Sequence, residues 1–99
     1  MTTGPADARE VAETLAIQAL SFLAGEPSRL GRFLAESGIG PETLRSAAKS
    51  PQFLVSVLDF VLGSRAITEE FARASELTPA AVAAARQVLG GADWERGEP

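Results

Sequence analysis

The sequence predicts an all-α protein, a compact six-helix bundle built from two similar three-helix units related by a pseudo-twofold axis. Three observations carry this expectation. Proline, often after serine or threonine, recurs where apolar runs begin, and glycine recurs where they end, the asymmetry that marks helix starts and stops. Apolar residues recur at helical spacing, and β-branched residues never alternate with polar ones for more than a few positions. Finally, the chain aligns with itself, without a gap, when shifted by 38 residues.

Each element follows from that punctuation. The first helix is expected from about Asp7 to Ala24, stopped by Gly25. Pro27 suits the first turn of a second helix carrying Leu30, Phe33 and Leu34 and ending at Gly38. Gly38 followed by Ile39 fits a left-handed glycine with an apolar residue folding back on Leu34, the contact that accompanies a Schellman close. A short third helix begins at Pro41 and runs through Ala48. Ser50-Pro51 opens a fourth as cap and first-turn residue, and that helix reaches Gly63. Ser64 caps a fifth bearing Ile67 and Phe71. Thr78-Pro79 opens the sixth, whose Val82, Ala85, Val88 and Leu89 precede Gly90-Gly91. One domain spans residues 1–99, with repeat units at about 7–49 and 50–90 and fraying polar ends at 1–6 and 92–99.

The repeat pairs Ala12 to Ala48 with Ser50 to Arg86. Identities fall at Leu20/Leu58, Phe22/Phe60, Gly25/Gly63, Phe33/Phe71, Ser37/Ser75, Pro41/Pro79 and Ala47/Ala85. These are starts, stops and apolar positions, so the halves share a helix grammar as well as a composition. In the two long helices the polar residues occupy equivalent places: Thr14, Gln18, Ser21 and Gly25 in one, Gln52, Ser56, Asp59 and Gly63 in the other. Spaced i, i+4, i+7, i+11, each set forms a stripe roughly 60° wide. Most of each helix is thereby left for burial, and helices one and four are expected as the central pair with the other four around them.

Composition bounds the chemistry. At 99 residues, 45% of them apolar, the chain can support one core without staples. It has no cysteine and no histidine, which removes disulfides, thiolate and imidazole metal ligands, a cysteine nucleophile and the commonest general base. Nine basic against thirteen acidic residues give a net charge of −4, which disfavours nucleic acid as a partner. No basic region followed by an apolar run opens the chain, and the longest apolar stretch, Phe53 to Leu62, is too short to span a membrane, which takes about 20 residues. A cytoplasmic protein without membrane contact is the expectation, with no cofactor and no metal implied.

Several residues nevertheless invite a functional reading. Asp59, inside Phe53-Leu-Val-Ser-Val-Leu-Asp-Phe, would be desolvated if buried; because it lies on the polar stripe with Ser56, a solvated or structurally bonded carboxylate is the preferred reading. Gln18 holds the matching stripe of the first helix. Glu69 and Glu70 diverge by about 100° on a helix, and Glu69 faces Arg73 as an ion pair. Arg29, Arg32, Arg45 and Lys49 could gather into a basic patch, although the second half has no basic counterpart. Trp94 stands alone in a polar tail, where it could dock on the domain or on a partner. No serine has a candidate base beside it, so an enzyme is disfavoured.

The run from Ala16 to Ile39, continued by Pro41-x-x-Leu-Arg and Phe53-Leu-x-x-Val-Leu-Asp-Phe, resembles a small alphaproteobacterial family catalogued as domain of unknown function 3572, over about residues 10 to 90. The resemblance implies a short bacterial cytoplasmic protein and carries no activity, cofactor or site residue. Three functions therefore compete. A protein-interaction or homo-oligomerising module is first, because two nearly all-round apolar helices are hard to cover with four brief ones. A small-ligand binder or enzyme is second, with Asp59 and the two stripes facing each other across a cavity. A nucleic-acid accessory using the basic patch is third.

Overall fold

Local chemistry sets the helix boundaries. The structure is a computed structural model that describes residues 5–97, with side chains described at 8–40 and 42–90. Helices α1 (Pro5–Ala24), α2 (Pro27–Ser37), α3 (Leu44–Ala47), α4 (Pro51–Leu62), α5 (Arg65–Ala74) and α6 (Pro79–Gly97) follow one another, with a 3₁₀ turn at Pro41–Thr43 leading into α3. The cap hydroxyls do what their positions predict. Ser50 Oγ accepts the Phe53 N–H at 3.4 Å, Ser64 Oγ accepts the Ile67 N–H at 3.3 Å and Thr78 Oγ1 accepts the Ala81 N–H at 3.1 Å, each satisfying an orphan donor of a first turn.

The helix ends depart from expectation in an instructive way. Gly38 is left-handed, with φ of 76°, and its N–H donates to Leu34 O at 2.9 Å. That single bond is the simpler left-handed close. The full Schellman pair sits instead at the equivalent point of the second half, where Leu77 N–H donates to Ala72 O at 2.7 Å and Glu76 N–H donates to Arg73 O at 3.3 Å. There Glu76, not a glycine, takes the left-handed conformation, at φ of 57°. Gly63 stays right-handed at φ of −72°, so α4 ends because Ser64 turns to extended backbone to cap α5. A stop expected at Gly90-Gly91 is absent, and α6 continues to Gly97.

Three helices, not two, form the centre. α6 packs along both α1 and α4, which also pack on each other, while α2 leans on α1 and α4 and α5 leans on α4 and α6. The core holds Leu23, Phe33, Val57, Leu58, Val61, Phe71, Val82 and Leu89, each essentially without solvent contact. The expected pseudo-twofold arrangement is therefore unequal in its third members: Pro41–Ala47 folds as a 3₁₀ turn and a four-residue helix, whereas its sequence counterpart begins a nineteen-residue helix. One aromatic contact recurs at positions related by the 38-residue shift. Phe22 of α1 meets Phe71 of α5 with ring centroids 5.5 Å apart, and their counterparts Phe60 of α4 and Phe33 of α2 meet at 5.4 Å. Phe33 also sets its edge against Phe53 at 5.7 Å, the geometry that aromatic quadrupoles prefer.

One buried polar group joins the second unit internally. Thr68 sits in α5 with only 6% of its surface exposed, and its hydroxyl is 2.6 Å from Val61 O and 2.8 Å from Ser64 O. The hydroxyl proton thereby serves the Val61 carbonyl near the end of α4, which helix geometry leaves short of donors, and lies beside Ser64 O, the cap carbonyl that already accepts the Thr68 N–H at 2.9 Å. Leu30 stands at the equivalent place in the first unit, so the two hairpins are fastened by different chemistry.

Candidate functional site

The stripe residues Thr14, Gln18, Ser21, Gly25, Gln52, Ser56, Asp59 and Gly63 are all exposed, as their spacing predicts. They do not face each other. On the α4 side, Ser56 and Asp59 line a shallow hollow of about 280 Å³ with Phe33, Glu36, Ser37 and Phe60. On the α1 side, Thr14 and Gln18 line a separate hollow of about 310 Å³ with Glu10, Val11, Leu15 and Leu77. The two share no residue, so the cavity expected between the stripes is replaced by two open surface depressions.

Asp59 has a partner that sequence reading missed. Arg86 of α6 donates from Nε to Asp59 Oδ1 at 2.7 Å and from Nη2 to Oδ2 at 3.2 Å, a bidentate fork matched to a carboxylate. The hydrogen bond that Arg86 donates to Asp59 holds its guanidinium above the ordinary pKa, against a smaller lowering by burial. Gly90, one turn beyond Arg86, leaves the room: a Cβ built there would run into the Arg86 guanidinium. Glycine in the interior of α6 is thus explained by its neighbour. The signal was present as Arg86 and Gly90 at i and i+4, but the glycine read more naturally as a stop.

The other polar groups of this hollow are also engaged. Ser56 Oγ donates to Gln52 O at 3.2 Å, Ser37 Oγ donates to Leu34 O at 3.3 Å, and Glu36 lies 4.0 Å from Arg32. Among the described residues no buried side-chain N or O lacks a hydrogen bond, and no group of three or more carboxylates is placed to hold a metal ion. The arrangement is that of a solvated network of ion pairs.

Arg29 and Arg32 do come together, in a hollow of about 450 Å³ that also holds Glu26 and Glu70. Arg29 donates to Glu70 Oε1 at 2.8 Å and lays its guanidinium over the Phe22 ring, 4.7 Å from the centroid. Arg45 and Lys49 are exposed and take no part in that hollow. The expected basic patch is therefore divided, and its best-placed arginine is paired with a carboxylate. Glu69 meets Arg65 at 3.9 Å, not the Arg73 that its spacing suggested. Trp94 falls within α6, and its side chain lies outside the described residues.

The exposed face of α1 is the other feature that the sequence did not disclose. Val11 is 66% and Ile17 47% exposed, and no other large apolar side chain among the described residues is so open. The expectation that α1 is buried nearly all round is corrected here: its exposed arc is wider than the polar stripe, because α2 and α4 do not reach around it. Glu10 is exposed on this helix beside Val11, and Glu13 pairs with Arg9 at 3.7 Å, while the exposed positions from Thr14 to Ala24 carry no charge.

Among the described residues no helix is long and apolar enough to cross a membrane. The family described as "Protein of unknown function (DUF3572)" matches the chain over residues 9–92. No curated protein and no solved structure matches it.

Proposed function

We propose that this chain, which belongs to the family of proteins of unknown function DUF3572, is a protein-interaction module that docks through the outer face of α1. The observation that carries the reading is the exposure of Val11 and Ile17 on the outer face of α1. Exposed aliphatic side chains scattered singly are ordinary. Here they share one helix, and Val11 lines the hollow that Leu15 and Leu77 open, an apolar feature in keeping with an interface. The paired state of Arg29 speaks against a phosphate-backbone partner, which would need free cations. The ligand-binding and enzymatic readings of Asp59 draw no support from a carboxylate already held by Arg86. Residence in the cytoplasm belongs to the same proposal, supported by a chain without cysteine. So does descent of the two halves from one unit, which the reciprocal Phe22–Phe71 and Phe33–Phe60 contacts support.

The test is to place a benzophenone-bearing amino acid at position 17 and, as control, at position 66 on the exposed part of α5, then irradiate the full chain in its native cytosol. The expected result is a discrete higher-mass adduct from position 17 alone. Equal or absent adducts at both positions would dismiss the interaction reading.

A further inference from the structure

One segment is held to the protein by less than any other. α1, α2, α4, α5 and α6 each sink a large side chain out of solvent contact, Leu23, Phe33, Val57, Phe71 and Val82 in turn. Among the described side chains of the 3₁₀ turn and α3, none is fully buried. Leu44, Ala47 and Ala48 rest half-buried against the core, with Ile39 before them. In the second half, 38 positions on from Leu44 and Ala47, Val82 and Ala85 are buried and belong to a nineteen-residue helix.

Polar contacts sharpen the contrast. Thr68 joins α5 to α4, Arg29 and Glu70 join α2 to α5, and Arg86 and Asp59 join α6 to α4. Between Ile39 and Lys49 the bonds reach no farther than Ser50. Thr43 N–H and Oγ1 both donate to Gly40 O, Ser46 Oγ donates to Thr43 O, and Ser50 N–H donates to Ala47 O. Among the described residues no ion pair joins Glu42, Arg45 or Lys49 to another helix. The neighbouring helices are closed without this segment. Gly38 N–H ends α2 on Leu34 O, and Ser50 Oγ caps α4 on the Phe53 N–H.

We propose that Ile39–Lys49 is a strap that opens by itself, between Gly38 and Ser50, while the five longer helices stay folded. Opening breaks the strap's own bonds and uncovers the apolar edge beneath Ile39 and Leu44. It costs no cap of α2 or α4 and no polar link between helices. A three-residue turn and a four-residue helix are too short to persist once lifted from the surface. Few buried contacts and solvent-facing hydrogen bonds place such a segment at the low end of local stability. Arg45, exposed in the middle of the strap, is thus where a trypsin-like protease enters the folded protein. The strap stands apart from the α1 face and does not depend on its docking role.

The test is a trace of trypsin on the folded full chain, with fragments identified by mass. At low protease the cutting rate follows the population of the open form. Over residues 25–90 the first cut is expected after Arg45 or Lys49. Leu44→Ala, which loosens the strap alone, should speed it about fivefold or more. Thr68→Val weakens the link between α5 and α4, so a cut that needed the whole domain to unfold would quicken about fivefold; the strap cut should stay within about twofold of wild type. Circular dichroism checks that both variants keep their helices. A first cut elsewhere in that span, or one that quickens about fivefold with Thr68→Val, overturns the strap by making the opening foreign to it or global. A rate that Leu44→Ala leaves unchanged overturns it too, since the protease would then be cutting the closed surface.

Discussion

Arg86 holds Asp59 through two parallel hydrogen bonds, 2.7 and 3.2 Å long, and so ties α6 to α4 across 27 residues of chain. Both side chains are more than a third exposed. Water therefore screens the pair, and Asp59→Ala should lower unfolding free energy by no more than about 1 kcal/mol in a urea titration. A much larger loss would mean that Asp59 does more than anchor α6. The raised pKa of Arg86 adds stability that is fully present below the ordinary guanidinium value and lost only as pH climbs through the raised one. Stability measured from about pH 6 to about pH 9 should thus show no step from this group.

Gly90 and Asp59 should be energetically coupled although they do not touch. Alanine at position 90 gains about 0.8–1 kcal/mol of helix propensity, but its Cβ displaces the Arg86 guanidinium. Gly90→Ala is expected to leave stability within about 0.5 kcal/mol of wild type, and Asp59→Ala should cost less in that background than alone. Strict additivity in the double-mutant cycle would show that Arg86 reaches Asp59 regardless of the glycine.

The two left-handed residues make opposite predictions. Gly38→Ala puts a Cβ on a backbone with φ of 76° and should destabilise by about 1 kcal/mol. At the equivalent site Glu76→Gly removes one from a backbone with φ of 57° and should stabilise by about 0.5–1 kcal/mol, read as a rise in thermal midpoint. An unchanged or lowered midpoint for Glu76→Gly would count against strain at that position.

Thr68→Val keeps the shape of the side chain and deletes the hydroxyl that serves Val61 O and Ser64 O. Because Val61 O also accepts the Ser64 N–H at 3.2 Å and Ser64 O the Thr68 N–H at 2.9 Å, both acceptors keep a backbone donor, and the expected loss is about 1 kcal/mol. Thr68→Ser should recover much of it, since the hydroxyl returns and only a methyl is lost. Equal stability of all three proteins would show the bonds to be incidental.

Where local chemistry decides, the sequence was legible. Ser50, Ser64 and Thr78 act through bonds three residues long, and Pro27, Pro51 and Pro79 act through their own fixed φ. The polar stripes were legible too, because periodicity is a property of one helix. What escaped were relations between helices. Gly90 looks like a stop until Arg86 is seen lying over it, and Glu76 offers no sign of its left-handed turn because the Schellman bonds override its preference. Val11 and Ile17 fit any apolar face; their exposure follows from where α2 and α4 stop short. Asp59 was identified and its partner was not, since Arg86 lies in a segment whose counterpart, Ala48, has no charge.

Among the described residues, every close aromatic pair crosses the boundary between the halves: Phe22 with Phe71, and Phe33 with both Phe53 and Phe60. A nascent chain that has cleared the ribosome only as far as Lys49 owns two phenylalanines with no ring to meet. Its hairpin stays open to solvent until α4 and then α5 emerge, so folding is expected to be a single event that waits for α5. The same interleaving makes partial opening costly. Lifting α5 uncovers Phe22 in the opposite half, and the domain should exchange its core amide hydrogens as one cooperative unit.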